Sequence, residues 1–135
     1  MIAQLKGYKT EEFHFVSKLP GNTKINLSNK YSYNVGYSNQ NTAKGEFRAE
    51  IFDKDNPEKF RVDIVISAIF ATDKGADKAK LHVETYNMLF PYVKSSVAML
   101  TGAMGIPPVN IPFADISKQN IYRLEMPQKN DSFEQ

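Results

Sequence analysis

The sequence predicts an α+β fold, with four strands up to about Ala71 followed by a long broken helix and a shorter C-terminal helix. Three observations predict it. From the first residues to Ala71, apolar and polar side chains repeatedly alternate with a period of two, the mark of half-buried strands. Val83, Tyr86, Phe90, Val93, Val97, Leu100 and Met104 then follow in steps of three and four, which lays an apolar stripe along a helix. Finally, the stretch Thr85 to Ala114 carries a single charge, Lys94, in a chain that is 24% charged.

Gln4 to Val16 reads as the first strand. Leu5, Phe13 and Phe15 share a parity, but the pattern weakens around Gly7 and Glu11, which predicts a bend or bulge near Gly7. Pro20-Gly21-Asn22 is a turn. The second strand is the clearest: Ile25, Leu27, Tyr31, Tyr33, Val35 and Tyr37 fall on odd positions, with polar residues between them. Ser38 to Gly45 reads as a polar loop. Glu46 to Phe52 is the third strand, with Phe47, Ala49 and Ile51 inward. Asp53-Lys54-Asp55-Asn56-Pro57 turns the chain back. The fourth strand, Phe60 to about Ala71, has one continuous apolar face. Its other face starts charged, at Arg61 and Asp63, then turns apolar through Val65 and Ile69, so the strand end needs cover on both sides.

A short helix from Asp77 to Tyr86 follows. Pro91 lacks a backbone donor and crowds the carbonyl of Asn87, which predicts a kink or fresh start near Asn87 before the main helix runs on to Met104 and stops at Gly105. Burying the seven stripe residues contributes roughly 1.5–3 kcal/mol each. The other sides of this helix are hardly more polar. Met88, Leu89, Tyr92, Ser95, Ser96, Met99 and Ala103 are expected to look away from the core, so a second cover is required. The expected cover is another subunit, contacting Met88, Tyr92, Ser96, Met99 and Ala103.

Gly105 to Phe113 is a loop stiffened by Pro107, Pro108 and Pro112, yet apolar at Ile106, Val109, Ile111 and Phe113. It is expected to be an ordered lip facing Phe60, Val65, Ile69 and Phe70, with an extended polypeptide held between. The alternative is that the loop folds back onto its own sheet and closes the core. Ala114 to Glu125 reads as the second helix, so residues 1–125 form one domain and 126–135 a mobile polar tail.

The 135 residues include no cysteine, which excludes a disulfide framework, a thiol nucleophile and a thiolate metal site and points to a reducing compartment. A net charge of +2 is too small to imply nucleic acid. That charge is uneven: residues 1–45 hold six lysines against two glutamates, while acids outnumber bases beyond them. The apolar runs are too short and too proline-rich for a membrane span, and the N-terminus shows no secretory signal.

His14 and His82 are the only histidines, and no spacing joins either to a metal or catalytic set. Asp53, Asp55 and Asn56 resemble the start of a calcium loop, but Pro57 follows and no glycine sits at the bend, which favours a hairpin turn. No phosphate loop, nucleophile elbow or fixed carboxylate pair is present, so no enzyme, cofactor or metal is expected. What remains is apolar surface, fit for an obligate oligomer or for binding unfolded polypeptide.

Leu89-Phe90-Pro91-Tyr92, then a helix, a glycine and a Pro-x-Asn-apolar loop ending in Phe113-Ala114-Asp115, resembles the SecB family of export chaperones. Phe60-Arg61-Val62-Asp63 and Ile69-Phe70 look like the family's fourth strand, and the order of elements agrees over most of the chain. The resemblance implies a four-stranded antiparallel sheet with the helices packed on one face. It also implies a dimer of dimers paired through the long helices, and grooves lined by the connecting loop and the sheet. The implied function is that of a cytoplasmic holdase for unfolded preproteins, with Asp63 and Glu12 on an acidic sheet surface that docks the SecA motor. The chain is slightly basic and has Val16 where a second acid of the first strand would fall, so SecA docking is expected to be weak and salt-sensitive. The resemblance extends to SecB-like chaperones that protect antitoxins, and a purely structural oligomer is the reading from another class.

Overall fold

A computed structural model describes residues 2–116 and the backbone of 123–134. The alternating first half folds into four long antiparallel strands, β1 (Ala3–Ser17), β2 (Lys24–Tyr37), β3 (Thr42–Asp53) and β4 (Phe60–Thr72). One helix, α1 (Lys78–Ala103), follows, and a last strand, β5 (Arg123–Glu134), returns to the sheet. The strand order is β1-β4-β3-β2-β5, and every neighbouring pair is antiparallel. The fold is thus the expected α+β layering, with a fifth strand at the edge.

Parity places the core. The even residues of β4 from Phe60 to Phe70, with Phe47, Ala49 and Ile51 of β3 and Ile25, Leu27, Tyr31 and Tyr33 of β2, are buried on the face that α1 covers. β1 keeps its aromatic residues on that face by means of two register shifts, between Leu5 and Gly7 and between Thr10 and Glu12. Each shift offsets the pleat by one residue, so Leu5 opposite Phe70 and Phe13 opposite Ile64 lie on the same side. β3 begins at Thr42, earlier than its polar letters indicate. Ala43 and Gly45 fall on the buried parity while Thr42 and Lys44 alternate with them, and Asn41 turns the chain with φ 56°. The β3–β4 hairpin is tied by Asp53, whose carboxylate accepts from the backbone N–H groups of Asn26 and Asn56, both at 3.0 Å. This confirms a turn at the acidic stretch. Among the described residues no group of three or more His, Asp or Glu is placed to hold a metal.

The helix corrects two expectations. It runs unbroken from Lys78 to Ala103 with Pro91 inside it. Asn87 and Pro91 are both on the exposed side, so the carbonyl that loses its partner belongs to the wet face of the helix. The stripe also drifts. A strict three–four alternation slips about 20° per heptad against a real helix, and over three heptads its ends leave the core. Val83 is half-buried and Met104 exposed, whereas Leu89 and Ser96, expected to look outward, are buried. No helix of the described chain is long and apolar enough to cross a membrane.

The helix expected over Ala114 to Glu125 falls largely on residues outside the described ones. Ala114 to Ile116 are irregular, and Arg123 to Glu125 already belong to β5. The tail expected from Met126 is, as far as Glu134, part of the same strand, because the order of the first four strands leaves an edge of β2 for it to pair with.

The buried phenols give the fold a pH signature. Burial pushes the Tyr86 hydroxyl up to about 12 and those of Tyr31 and Tyr33 higher still. A group whose folded pKa exceeds its unfolded value of about 10 leaves stability intact below that value. Above it, the unfolded chain sheds protons that the folded chain keeps, so stability falls as pH rises through the folded value of Tyr86. Denaturant midpoints should therefore drop above about pH 10, with the share of phenolate absorbance due to these three buried residues appearing only in step with unfolding. Ionisation of all seven tyrosines in the still-folded protein would contradict this assignment.

Candidate functional site

Two surfaces stand out, one on each side of the sheet. The first grows out of the aromatic core. Phe47 stacks on Tyr86 with ring centres 5.8 Å apart, and Tyr86 lies 5.8 Å from Phe90. Phe90 meets Phe113 edge-on at 5.1 Å, and Phe113 is 53% exposed. A line of rings thus leads from the middle of the sheet to the surface of the proline loop. The loop is firmly seated. Thr101 Oγ1 donates to the Val97 carbonyl at 2.7 Å and accepts from the Val109 backbone N–H at 2.9 Å. Tyr31 donates its hydroxyl to the Pro112 carbonyl at 2.9 Å, pinning the loop over β2.

This seating corrects the expected groove. Ile106, Val109 and Ile111 are buried in the core, as are Phe60 and Phe70. They close the protein's own interior, because α1 alone does not cover the β2 end of the sheet. Val65 and Ile69 point to the opposite sheet face from the loop, by the alternation of β4, so they cannot form its facing wall. Val65 is buried there and Ile69 is 44% exposed. Of the expected lining, only Phe113 is both in the loop and open.

The second surface is the outer face of the sheet. Glu12, His14, Arg48, Glu50, Asp63 and Val65 line a shallow depression of about 600 Å³. Register brings them together: His14, Asp63 and Glu50 lie in one row across β1, β4 and β3, with Glu12, Val65 and Arg48 in the next. The two residues of the expected acidic docking surface, Glu12 and Asp63, therefore do meet. Asp63 is not an open charge, however. Arg61 Nε donates to both of its oxygens, at 3.1 and 2.9 Å, and the same guanidinium bonds Glu50 and lies over the Phe52 ring at 5.3 Å. Sequence parity showed Arg61 as a neighbour, but its clamp on two acids depends on β3 being the adjacent strand.

The outward side of α1 carries the residues expected at a subunit interface. Met99 is 69% exposed, Tyr92 and Ala103 are exposed, and Met88 is half-buried. Ser96 is turned inward and departs from that set. Tyr92 pairs with Tyr8 of β1, ring centres 4.9 Å apart, a contact between distant elements that no local pattern announces.

The sequence matches no family model and no curated protein. Among solved structures, the chain is similar to the SecB-like chaperone Rv1957 of Mycobacterium tuberculosis, solved in complex with a ChAD peptide from the HigA1 antitoxin Rv1956. The TM-score is 0.66 at 15% identity, and the match covers 84% of this chain and 91% of that one. The fold is SecB-like.

Proposed function

We propose that this SecB-like protein is a chaperone that holds an extended segment of another polypeptide, and that its client is an antitoxin. The observation that carries this reading is the fold shared over most of both chains with a chaperone that was solved holding an antitoxin peptide. The exposed ring of Phe113, seated on a rigid loop at the end of the aromatic line, supplies a preformed apolar contact for such a segment. The test is a titration of the antitoxin encoded nearest to this gene, as a set of labelled overlapping peptides, against wild type and Phe113→Ser. Phe113→Ser should weaken binding by roughly tenfold, the loss of one well-buried aromatic contact, with little change in melting temperature. No binding by wild type, and no suppression of aggregation of a denatured protein, would leave only the structural oligomer.

Export through the SecA motor is the second reading, favoured by the meeting of Glu12 and Asp63 on one sheet face. The Arg61 clamp on Asp63 weakens it, since a neutralised acid attracts a basic partner less. Unfolded preproteins and SecA therefore rank behind the antitoxin as partners.

Self-association into a dimer of dimers belongs to the same proposal. Met99 is too exposed for a large apolar side chain on a helix already flanked by Tyr92 and Ala103. Met99→Glu should lower the mass seen by light scattering while circular dichroism stays unchanged, because an unpaired charge in an interface costs about 3–5 kcal/mol. A wild-type monomer at micromolar concentration would refute the assembly.

A further inference from the structure

The two sides of β2 are paired very differently. Against β3 the ladder is unbroken from Leu27↔Asp53 to Tyr37↔Ala43. Against β5 it falls into two pieces, Lys24↔Glu134 to Asn26↔Ser132 and Ser28↔Pro127 to Ser32↔Arg123. Between them a single β2 residue, Leu27, stands against the whole run from Gln128 to Asp131. Pro127, which has no backbone donor, lies within the second piece. A strand selected only to finish the sheet would be expected to match its neighbour as β3 does. The register of β5 is nonetheless not arbitrary. Its apolar residues Leu124, Met126 and Phe133 fall opposite Tyr31, Asn29 and Ile25, all on the core-facing parity of β2. The Tyr31 end of this edge is also where the loop is pinned, through the Pro112 carbonyl beside Phe113.

We propose that this edge of β2 is the docking site for the client backbone, and that β5 occupies it as an internal ligand which a client strand displaces. The inference rests on the chaperone reading. The client chemistry is an extended segment with apolar residues at alternate positions, which would add to the sheet as β5 does and present every second side chain to the loop side of β2. A tethered strand competes at an effective concentration of the order of millimolar. It lowers the apparent affinity of every client by the fraction of time that the edge is closed. Weakly matched segments are excluded and well-matched ones admitted, which would give a promiscuous main-chain site its selectivity.

The full chain contains no cysteine, so one reversible lock can be added cleanly. Lys30 and Glu125 are opposite residues on the antiparallel β2–β5 pair, a separation that a disulfide can span. In K30C/E125C, oxidation should weaken binding of reduced, carboxymethylated α-lactalbumin by at least about tenfold, and reductant should restore it. Equal binding by the two forms overturns the inference while leaving the chaperone reading intact. A second measurement does not depend on any client. A labelled peptide of residues 123–134 should bind the full chain carrying Leu124→Asp and Met126→Asp, whose own strand is spoiled, at least about tenfold more tightly than wild type. Failure to bind the variant more tightly than wild type also overturns the inference. If the peptide behaves as expected but no form binds unfolded protein, the edge site stands and the chaperone reading falls.

Discussion

Phe47→Ala should lower stability by about 4 kcal/mol, a large part of the 5–15 kcal/mol that typically holds a domain together. Phe47 has no exposed surface and sits among four rings: Tyr31 at 5.5 Å, Tyr86 at 5.8 Å, Phe90 at 6.0 Å and Tyr33 at 6.3 Å. These rings come from β2 and α1, so Phe47 on β3 is where sheet and helix meet. Truncation opens a void that rigid neighbours cannot fill, and it removes edge and stacking contacts worth about 0.5–1.5 kcal/mol per pair beyond area burial. Denaturant titration reads the loss directly. A value below about 2 kcal/mol, the low end for a buried large-to-alanine change, would mean that the core relaxes around the gap and that these rings are not its keystone.

The burial of Phe47 was legible in the sequence because a strand with one wet face writes its parity into every second letter. The same holds for β2, for the inner face of β4 and for the bulge near Gly7. What was not legible has a common cause: it depends on which elements become neighbours. The loop residues Ile106, Val109 and Ile111 look like a lip if the helix stripe is assumed to fill the core. They become core once α1 is seen to lie chiefly over β1 and β4, leaving the β2 end for the loop to cover. Asp63 looks like a free acid until β3 brings Glu50 beside it, and Arg61 then serves both. β5 was hidden for the same reason. Arg123 to Glu134 is polar and contains a proline, and nothing local marks it as a strand. Only the order β1-β4-β3-β2 shows that an edge is waiting for it. Pro91 is the reverse case, a strong local signal for a break that the solvent side of the helix absorbs.

Gly45→Ala should cost about 2–3 kcal/mol, although alanine in place of glycine ordinarily gains about 0.4–1 kcal/mol from the unfolded state. Gly45 falls on the core-facing parity of β3. A β-carbon there would lie 2.7 Å from the Tyr33 hydroxyl oxygen and 3.2 Å from the Phe70 ring. Tyr33 cannot simply step aside. Its ring is buried against Phe47 and Tyr86, and its hydroxyl donates to Thr85 Oγ1 at 2.7 Å, while Thr85 in turn donates to the Leu81 carbonyl at 2.6 Å. This chain of hydrogen bonds is what fastens β2 to the first turns of α1. Moving the ring by the required few tenths of an ångström strains a filled core, at about 1–3 kcal/mol. It also stretches a buried hydroxyl away from its partner, at about 1–3 kcal/mol. Tyr33→Phe alone should be milder, since it removes the crowding oxygen, though it leaves Thr85 short of a donor. The decisive comparison is the double variant. With the hydroxyl gone, the nearest atom to the new methyl is 3.1 Å away on the ring edge, so Gly45→Ala should cost at least about 1 kcal/mol less in the Tyr33→Phe background than in wild type, a coupling typical of residues in contact. Additive costs in denaturant titrations would show that the glycine is required for some reason other than the seat of Tyr33.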